Sequence, residues 1–306
     1  MSLKTKQRWK KSIPYFLLCI PAMVYNILFH DIPLYGIVLA FKKYEYTKGI
    51  WGSSWIGFEN FKFYFKSVDF KTTITNSLFY SLAFMLVTSL LAGIVFAILL
   101  YEVNNKFLNR SYQTVMMVPN FVSIVVISYI LYMLINNGDS GIINNFLRNA
   151  GLKTIDFYNE PKYWRFILVF IHFWCNAGMA SLYFYSALLA IDPGLFEAAS
   201  LDGCGKLKRI WYIEIPELKP MICMVLVMQM GKALSNGMGF FYSLTKDSGA
   251  LYKVTDVIET YTYRGLVSGK LEQAAAVGLF QTVVGLVLII VSNQIVKKIS
   301  PENKVF

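Results

Sequence analysis

Charge is scarce in this chain of 306 residues: Asp, Glu, Lys and Arg together make up 15%, against roughly 25% in an ordinary soluble domain. Acids are the scarcer sign, 18 against 29 basic residues, and none lies inside the long apolar runs. A membrane-embedded enzyme needs intramembrane carboxylates, a metal-binding His cluster or a nucleophile with its base. HExxH, GxSxG and GxxxxGK[ST] are all missing, and Met230 to Leu234 lack the upstream Gly and the Ser/Thr of a phosphate loop. No ATP site is therefore expected in this chain. His172 has no metal-ligand partner in sequence. Cys19, Cys175, Cys204 and Cys223 stand far apart, which excludes a CxxC zinc site and gives no disulfide framework. If the segment around Cys204 is cytosolic, that thiol should be free.

Apolar residues, at 56% of the chain and a mean hydropathy of +0.49, are concentrated in long runs. A helix crossing a bilayer needs about 20 mostly apolar residues. Six stretches qualify, at about 13–30, 76–100, 113–135, 166–190, 219–240 and 274–296. The fold expected is an all-α integral membrane protein with six transmembrane helices. With no long linker, low-complexity stretch or soluble module in view, residues 1–306 read as one membrane domain. The N-terminus is basic and then apolar, like a signal peptide, but it lacks a small-x-small cleavage pattern; 13–30 is expected to stay as a first span. The net charge of +11 does not point to nucleic acid, because no basic stripe lies on a soluble module. It fits basic loops at an anionic cytoplasmic leaflet. Lys4, Lys6, Arg8, Lys10 and Lys11 put the N-terminus inside. The loops 101–112 and 191–218 and the basic C-terminal tail are then inside too, while 31–75, 136–165 and 241–273 are outside.

One inner segment departs from its surroundings. "LFEAASLDGCGKLKRIWYIEIPELKP", Leu195 to Pro220, is charged and Gly-broken between two apolar runs. Asp192 can cap a helix whose first residue is Pro193. Gly203 and Gly205 can turn the chain through positive φ. A second short helix follows, and Pro216 ends it or bends it into the next span. The result is a helix–Gly–helix elbow with Glu197 beside the small Ala198 and Ala199. Local physics leaves two readings open: a docking surface, or an amphipathic loop lying on the headgroups.

The segment resembles the EAA loop of ABC-importer membrane subunits: Glu-Ala-Ala, three residues, Gly, nine residues, Ile-x-Leu-Pro. Glu197, Ala198, Ala199, Gly203, Ile213 and Pro216 hold these positions, with Ile215 in place of Leu. "AIDPGLFEAASLDG" is similar to the carbohydrate, maltose-type branch. "PLYGIVLAFKKY" at 33–44 and "TDVIETYTYRGLV" at 255–267 are similar to oligosaccharide and polysaccharide permeases. The resemblance implies a type I importer permease fold. It implies a coupling helix that seats in a separate cytosolic ATPase dimer, where ATP and Mg would bind, so this chain itself carries no cofactor. It also implies a second homologous permease, an extracellular sugar-binding lipoprotein meeting loops 31–75 and 241–273, a bacterial plasma-membrane location and an oligosaccharide as cargo. The alternatives are a membrane-embedded enzyme acting on lipid-linked glycans, or an importer of a non-sugar solute.

Polar residues inside spans are costly and often functional. Asn176, Gln229, Lys232, Asn236 and Gln281 are the candidates for a solute path. Residues 229, 232 and 236 recur at helical spacing and are expected on one face. Asn176, Gln229 and Gln281 could equally bond between helices. Lys232 could snorkel, pair with an acid on a partner, or face an anionic solute. His172 reads as a core or path-lining residue, and Tyr183 and Tyr185 as packing rings. The aromatic residues of 41–65 suit an interfacial belt or sugar contacts.

Overall fold

The computed structural model describes residues 3–138 and 141–299. The side chains of the basic run 4–11 and the tail 300–306, on which the inside–outside expectation rests, lie outside what is described. Among the described residues the regular structure is helical apart from one antiparallel strand pair, which joins Lys42 to Trp55 and Lys43 to Ser54.

Four helices are long and apolar enough to cross a bilayer: Pro14–Phe41, Val68–Tyr101, Pro161–Leu188 and Leu271–Lys298. They contain or overlap the first, second, fourth and sixth expected stretches. The second begins earlier than expected, because Ser67 caps it by accepting the amide of Phe70. The third stretch is not one straight helix. Lys106–Phe121 and Ile124–Ile135 meet at 88°, with Pro119 in the last turn of the first and Ser123 capping the second.

The fifth stretch, expected as a continuous helix over 219–240, is also broken. Lys219–Gly231 spans 13 residues, and a new helix runs Met238–Thr245. The loop between them has partners. The Asn236 amide donates to Glu259 Oε2 at 3.0 Å, and its side-chain amide donates to the Ser77 carbonyl at 3.0 Å. The Ser81 hydroxyl donates to the Ala233 carbonyl and to Asn236 Oδ1. A break inside a membrane bundle is tolerated where freed backbone groups are met by protein in this way.

Trp164–Leu188 is the central helix. It packs on Gly93–Tyr101, on the π-helical stretch Phe84–Ala92 and on Lys106–Phe121. Lipid is as apolar as Leu, so such contacts rely on close packing between small residues. At Gly178 an added Cβ would lie 2.1 Å from the Met116 carbonyl oxygen; only glycine fits there. Leu271–Ile299 gathers a second group, packing on Ile32–Phe41, Ile258–Val267 and Lys219–Gly231. Trp164, Leu168, Phe241 and Leu244 form the core at one end. Phe184, Leu188, Leu218 and Ala97 form it at the other. The first helix stands apart: its apolar side chains from Tyr15 to Phe29 are exposed.

Gly178→Ala is expected to separate the central helix from Lys106–Phe121, at about 1–3 kcal/mol, the usual cost of overpacking. A thermal melt of the detergent-purified protein should show a clear drop relative to wild type.

Candidate functional site: a polar cavity and a two-armed elbow

A cavity of about 280 Å³ opens among the central helix, the second span and the broken fifth segment. Asn176, Gln229, Lys232 and Asn236 all line it. They do not share one helical face, as the spacing had suggested. Lys232 follows the last residue of Lys219–Gly231, and Asn236 sits in the loop beyond. The helix end and its loop fold over one side of the cavity, and this brings the three together. Gln281 is not with them. It lines a separate groove with Gly231, Thr282 and Gly285, and only Ser235 borders both spaces.

The walls are held by hydrogen bonds across the helices. Asn120 donates to Asn176 Oδ1 at 3.2 Å, and Asn176 Nδ2 donates to the His172 carbonyl at 3.0 Å. Thr88 Oγ1 lies 3.0 Å from His172 Nδ1. Gln229 Nε2 donates to the Ser89 hydroxyl. The His172 ring stacks flat on Phe84, with centroids 3.6 Å apart; it is a cavity-wall residue. Tyr183, expected to pack, is half exposed and lines the cavity too. Tyr185 instead packs in the core at the elbow end. Among the described residues lining the cavity, Lys232 is the one cation and no carboxylate is present. No ion pair joins Lys232 to an acid among those residues.

The second span supplies Ser81, Thr88 and Ser89, which sequence reasoning missed. A signal was available. Positions 77, 81, 84, 85 and 88 follow the spacing of one helical face, and three of them carry hydroxyls.

Glu259 holds the loop over the cavity from outside it. It belongs to the helix Ile258–Val267, and its carboxylate accepts from the Ser235 hydroxyl at 2.9 Å and from the Asn236 amide. That helix is fixed in turn to the second span, where the Ile258 amide donates to Ser77 Oγ at 3.0 Å.

The elbow lies at the Leu188 end of the central helix. Asp192 accepts the Gly194 amide at 2.9 Å and starts Pro193–Leu201. Glu197 and Ala198 are exposed and Ala199 is half-buried. Gly203 turns the chain at φ +70°. Gly205 does not share that role: its φ is −72°, and it precedes the second arm as an extended residue. The second arm runs helically from Lys206 to Glu217. Ile213 faces the core, and Pro216 lies in the final turn, exposed. Cys204 is a free thiol.

Residues 89–304 match the family of binding-protein-dependent transport system inner membrane components. The chain belongs to this family. It is a multi-pass permease component of a bacterial plasma membrane and not an enzyme. It is similar to the protein LplB of Bacillus subtilis, 33% identical over 94% of this chain and 90% of that protein. It is similar also to the polygalacturonan/rhamnogalacturonan transport system permease protein YteP of the same organism, 32% identical over 94% of this chain and 89% of that protein. Its fold matches a chain in the crystal structure of a bacterial ABC transporter that imports the acidic polysaccharide alginate, with a TM-score of 0.85 and 29% identity. That match covers 97% of this chain and 99% of the other. Its fold matches likewise a chain in the crystal structure of a bacterial alginate ABC transporter in complex with an alginate-pentasaccharide-bound periplasmic protein (TM-score 0.84, 29% identity, covering 96% of this chain and 97% of the other).

Glu259→Ala removes both acceptors that hold the loop over this permease's cavity. The variant should insert normally but need roughly tenfold more substrate for half-maximal uptake, about 1.4 kcal/mol. Uptake measured against substrate concentration checks this.

Proposed function

We propose that this chain is the permease half of an ATP-driven importer that carries acidic oligosaccharides, such as uronate-rich fragments, into the cell. The observation that carries the reading is the cavity. Its hydroxyls and amides suit a polyhydroxylated solute, its flat Phe84–His172 pair and Tyr183 offer ring surfaces, and its one charge among the described residues is the cation Lys232, which forms no ion pair with any of them. A cation without a carboxylate beside it favours an anionic solute. The names of similar proteins, for polygalacturonan/rhamnogalacturonan and for alginate, point the same way.

Both termini and the elbow face the cytoplasm in this reading. Glu197 meets a basic group in a cleft of a separate ATPase dimer, which binds ATP and Mg. Ala198 and Ala199 let the two surfaces come close, and Gly203 sets the turn. A second, homologous permease completes the path, and a sugar-binding lipoprotein delivers the solute to the outer loops. Closure of the ATPase dimer moves the elbows as rigid bodies, and the spans rock between inward- and outward-facing states. Exposure of Glu197 and Ala198, on a helix capped at its start, supports this docking role.

The deciding experiment purifies the chain with its native partners and measures ATP hydrolysis with a binding protein loaded from an oligosaccharide panel. Stimulation by acidic oligosaccharides is expected. Stimulation by neutral sugars alone, or by a non-sugar solute, would reassign the cargo, and absence of an ATPase from the complex would overturn the importer reading. Glu197→Lys should abolish uptake and release the ATPase while the permease stays inserted, as read by co-purification. Lys232→Ala should lower uptake of acidic oligosaccharides by at least about tenfold more than uptake of neutral ones, a difference on the scale of 1.4 kcal/mol. Equal effects on both would remove Lys232 from the solute path.

A further inference from the structure

Four charged residues, Glu102, Lys206, Arg209 and Glu214, form a cluster where the elbow meets the end of the second span. Glu102 is the C-cap of Gly93–Tyr101. Its carboxylate pairs with the Arg209 guanidinium and, at 3.0 Å, with the Lys206 ammonium. Arg209 Nε also donates to Glu214 Oε1 at 3.1 Å. Glu214 is fully buried, and its second oxygen has no hydrogen-bond partner among the described residues. Burial pushes the Glu214 carboxyl up from its ordinary value and the Arg209 guanidinium opposes this. Arg209 is the group that accommodates its charge. The guanidinium carbon lies over the Phe196 ring, 5.5 Å from its centroid, and Phe196 packs in turn on Tyr101, with centroids 5.8 Å apart.

Arg209 lies on the second arm itself, where it meets Glu214, and it touches two further pieces of chain. Phe196 belongs to the first arm and is the neighbour of Glu197. Glu102 ends the helix that packs along the central helix, whose Asn176, Met179, Ala180 and Tyr183 line the cavity. A planar guanidinium can serve several partners from one side chain; a lysine at the same place offers a point charge on a flexible stem. An elbow held to the spans only by chain connectivity could pivot when pulled. An elbow bolted at this point moves with the helices.

We propose that Arg209 is the positioning residue that fastens both arms of the elbow to Glu102, so that movement of the docked elbow is passed to the helices around the cavity. The inference rests on the importer reading above and concerns how that importer is coupled. Charged pairs are suited to this because truncating one partner strands the other in a low-dielectric setting, so the joint resists opening. Glu197 makes the outside contact; Arg209 acts within the chain, and its loss should affect transmission rather than docking.

The test uses the complete importer in proteoliposomes and reads three quantities: ATPase bound, ATP hydrolysed and solute moved per ATP. Two variants keep the buried Glu214 in place with a cation or its natural partner nearby. Arg209→Lys retains the charge without the three-way reach, and Glu102→Gln removes the anchor on the span while leaving Arg209 and Glu214 paired. In both, bound ATPase and hydrolysis should stay within about twofold of wild type, while solute moved per ATP falls about tenfold, a change within the usual range of coupling between sites. Glu102→Asp should restore part of it. Unchanged transport per ATP in both variants would overturn the proposal. So would a parallel loss of bound ATPase, hydrolysis and uptake, which would assign the cluster to assembly instead. A wild-type complex that contains no ATPase would refute the importer reading itself and is distinguishable from either result.

Discussion

A bilayer offers no water to a stranded N–H or C=O, so every interruption of a helix inside it must be met by protein groups. The breaks in this chain lie where such groups are available. The loop after Gly231 meets Ser77, Ser81 and Glu259, and the bend after Phe121 is closed by the Ser123 cap. These partners also shape the cavity. Ser81 fills the hydrogen bonds of the broken loop and lines the cavity, and Asn236 does the same from the other side. A straight fifth helix would carry residues 229, 232 and 236 along one stripe. Stopping at Gly231 turns Lys232 and Asn236 over the cavity and leaves their charge and amide facing the same space as Gln229.

The same constraint explains the distribution of charge. Acids are absent from the apolar runs 76–100, 166–190 and 274–296, and several of them fix a boundary instead. Glu259 holds the loop after Gly231, Asp256 and Asp247 hold Arg264 in the helix Ile258–Val267, and Glu102 and Glu214 hold Arg209 at the elbow. Lys232 has no such partner among the described residues. A cation beside a cavity attracts anions more strongly the less it is screened by water.

Features governed by neighbours in sequence were legible before the structure. Asp192, Pro193 and Gly203 build their part of the elbow through local capping and turn chemistry, and they do so as read. The long apolar runs at 76–100, 166–190 and 274–296 are helical because hydropathy and length alone decide it. The misses share a different cause. Whether 219–240 stays whole depends on Ser77, Ser81 and Glu259, which are remote in sequence, and Gly205 was assigned a positive φ that the neighbouring Gly203 had already supplied. Gln281 has the same composition signal as Gln229, yet the rotation of its helix sends it to another groove. Single hydroxyls such as Ser81 and Thr88 look neutral inside an apolar run, and only their shared helical face gives them away.

The cavity is thus tied to both ends of the molecule by acids. At one end, Glu259 belongs to the helix Ile258–Val267 and grips the loop that carries Asn236. At the elbow end, Glu102 ends the helix that packs along the cavity's central wall. The two ends therefore connect to the same group of side chains by separate routes. Both routes end on rigid elements: a capped helix on one side, a three-way ion pair on the other. Alternating access needs such stiffness, because a displacement absorbed by a soft joint moves no solute. The chain keeps its helix breaks next to the cavity and its charged joints at the elbow and on the helix that carries Glu259.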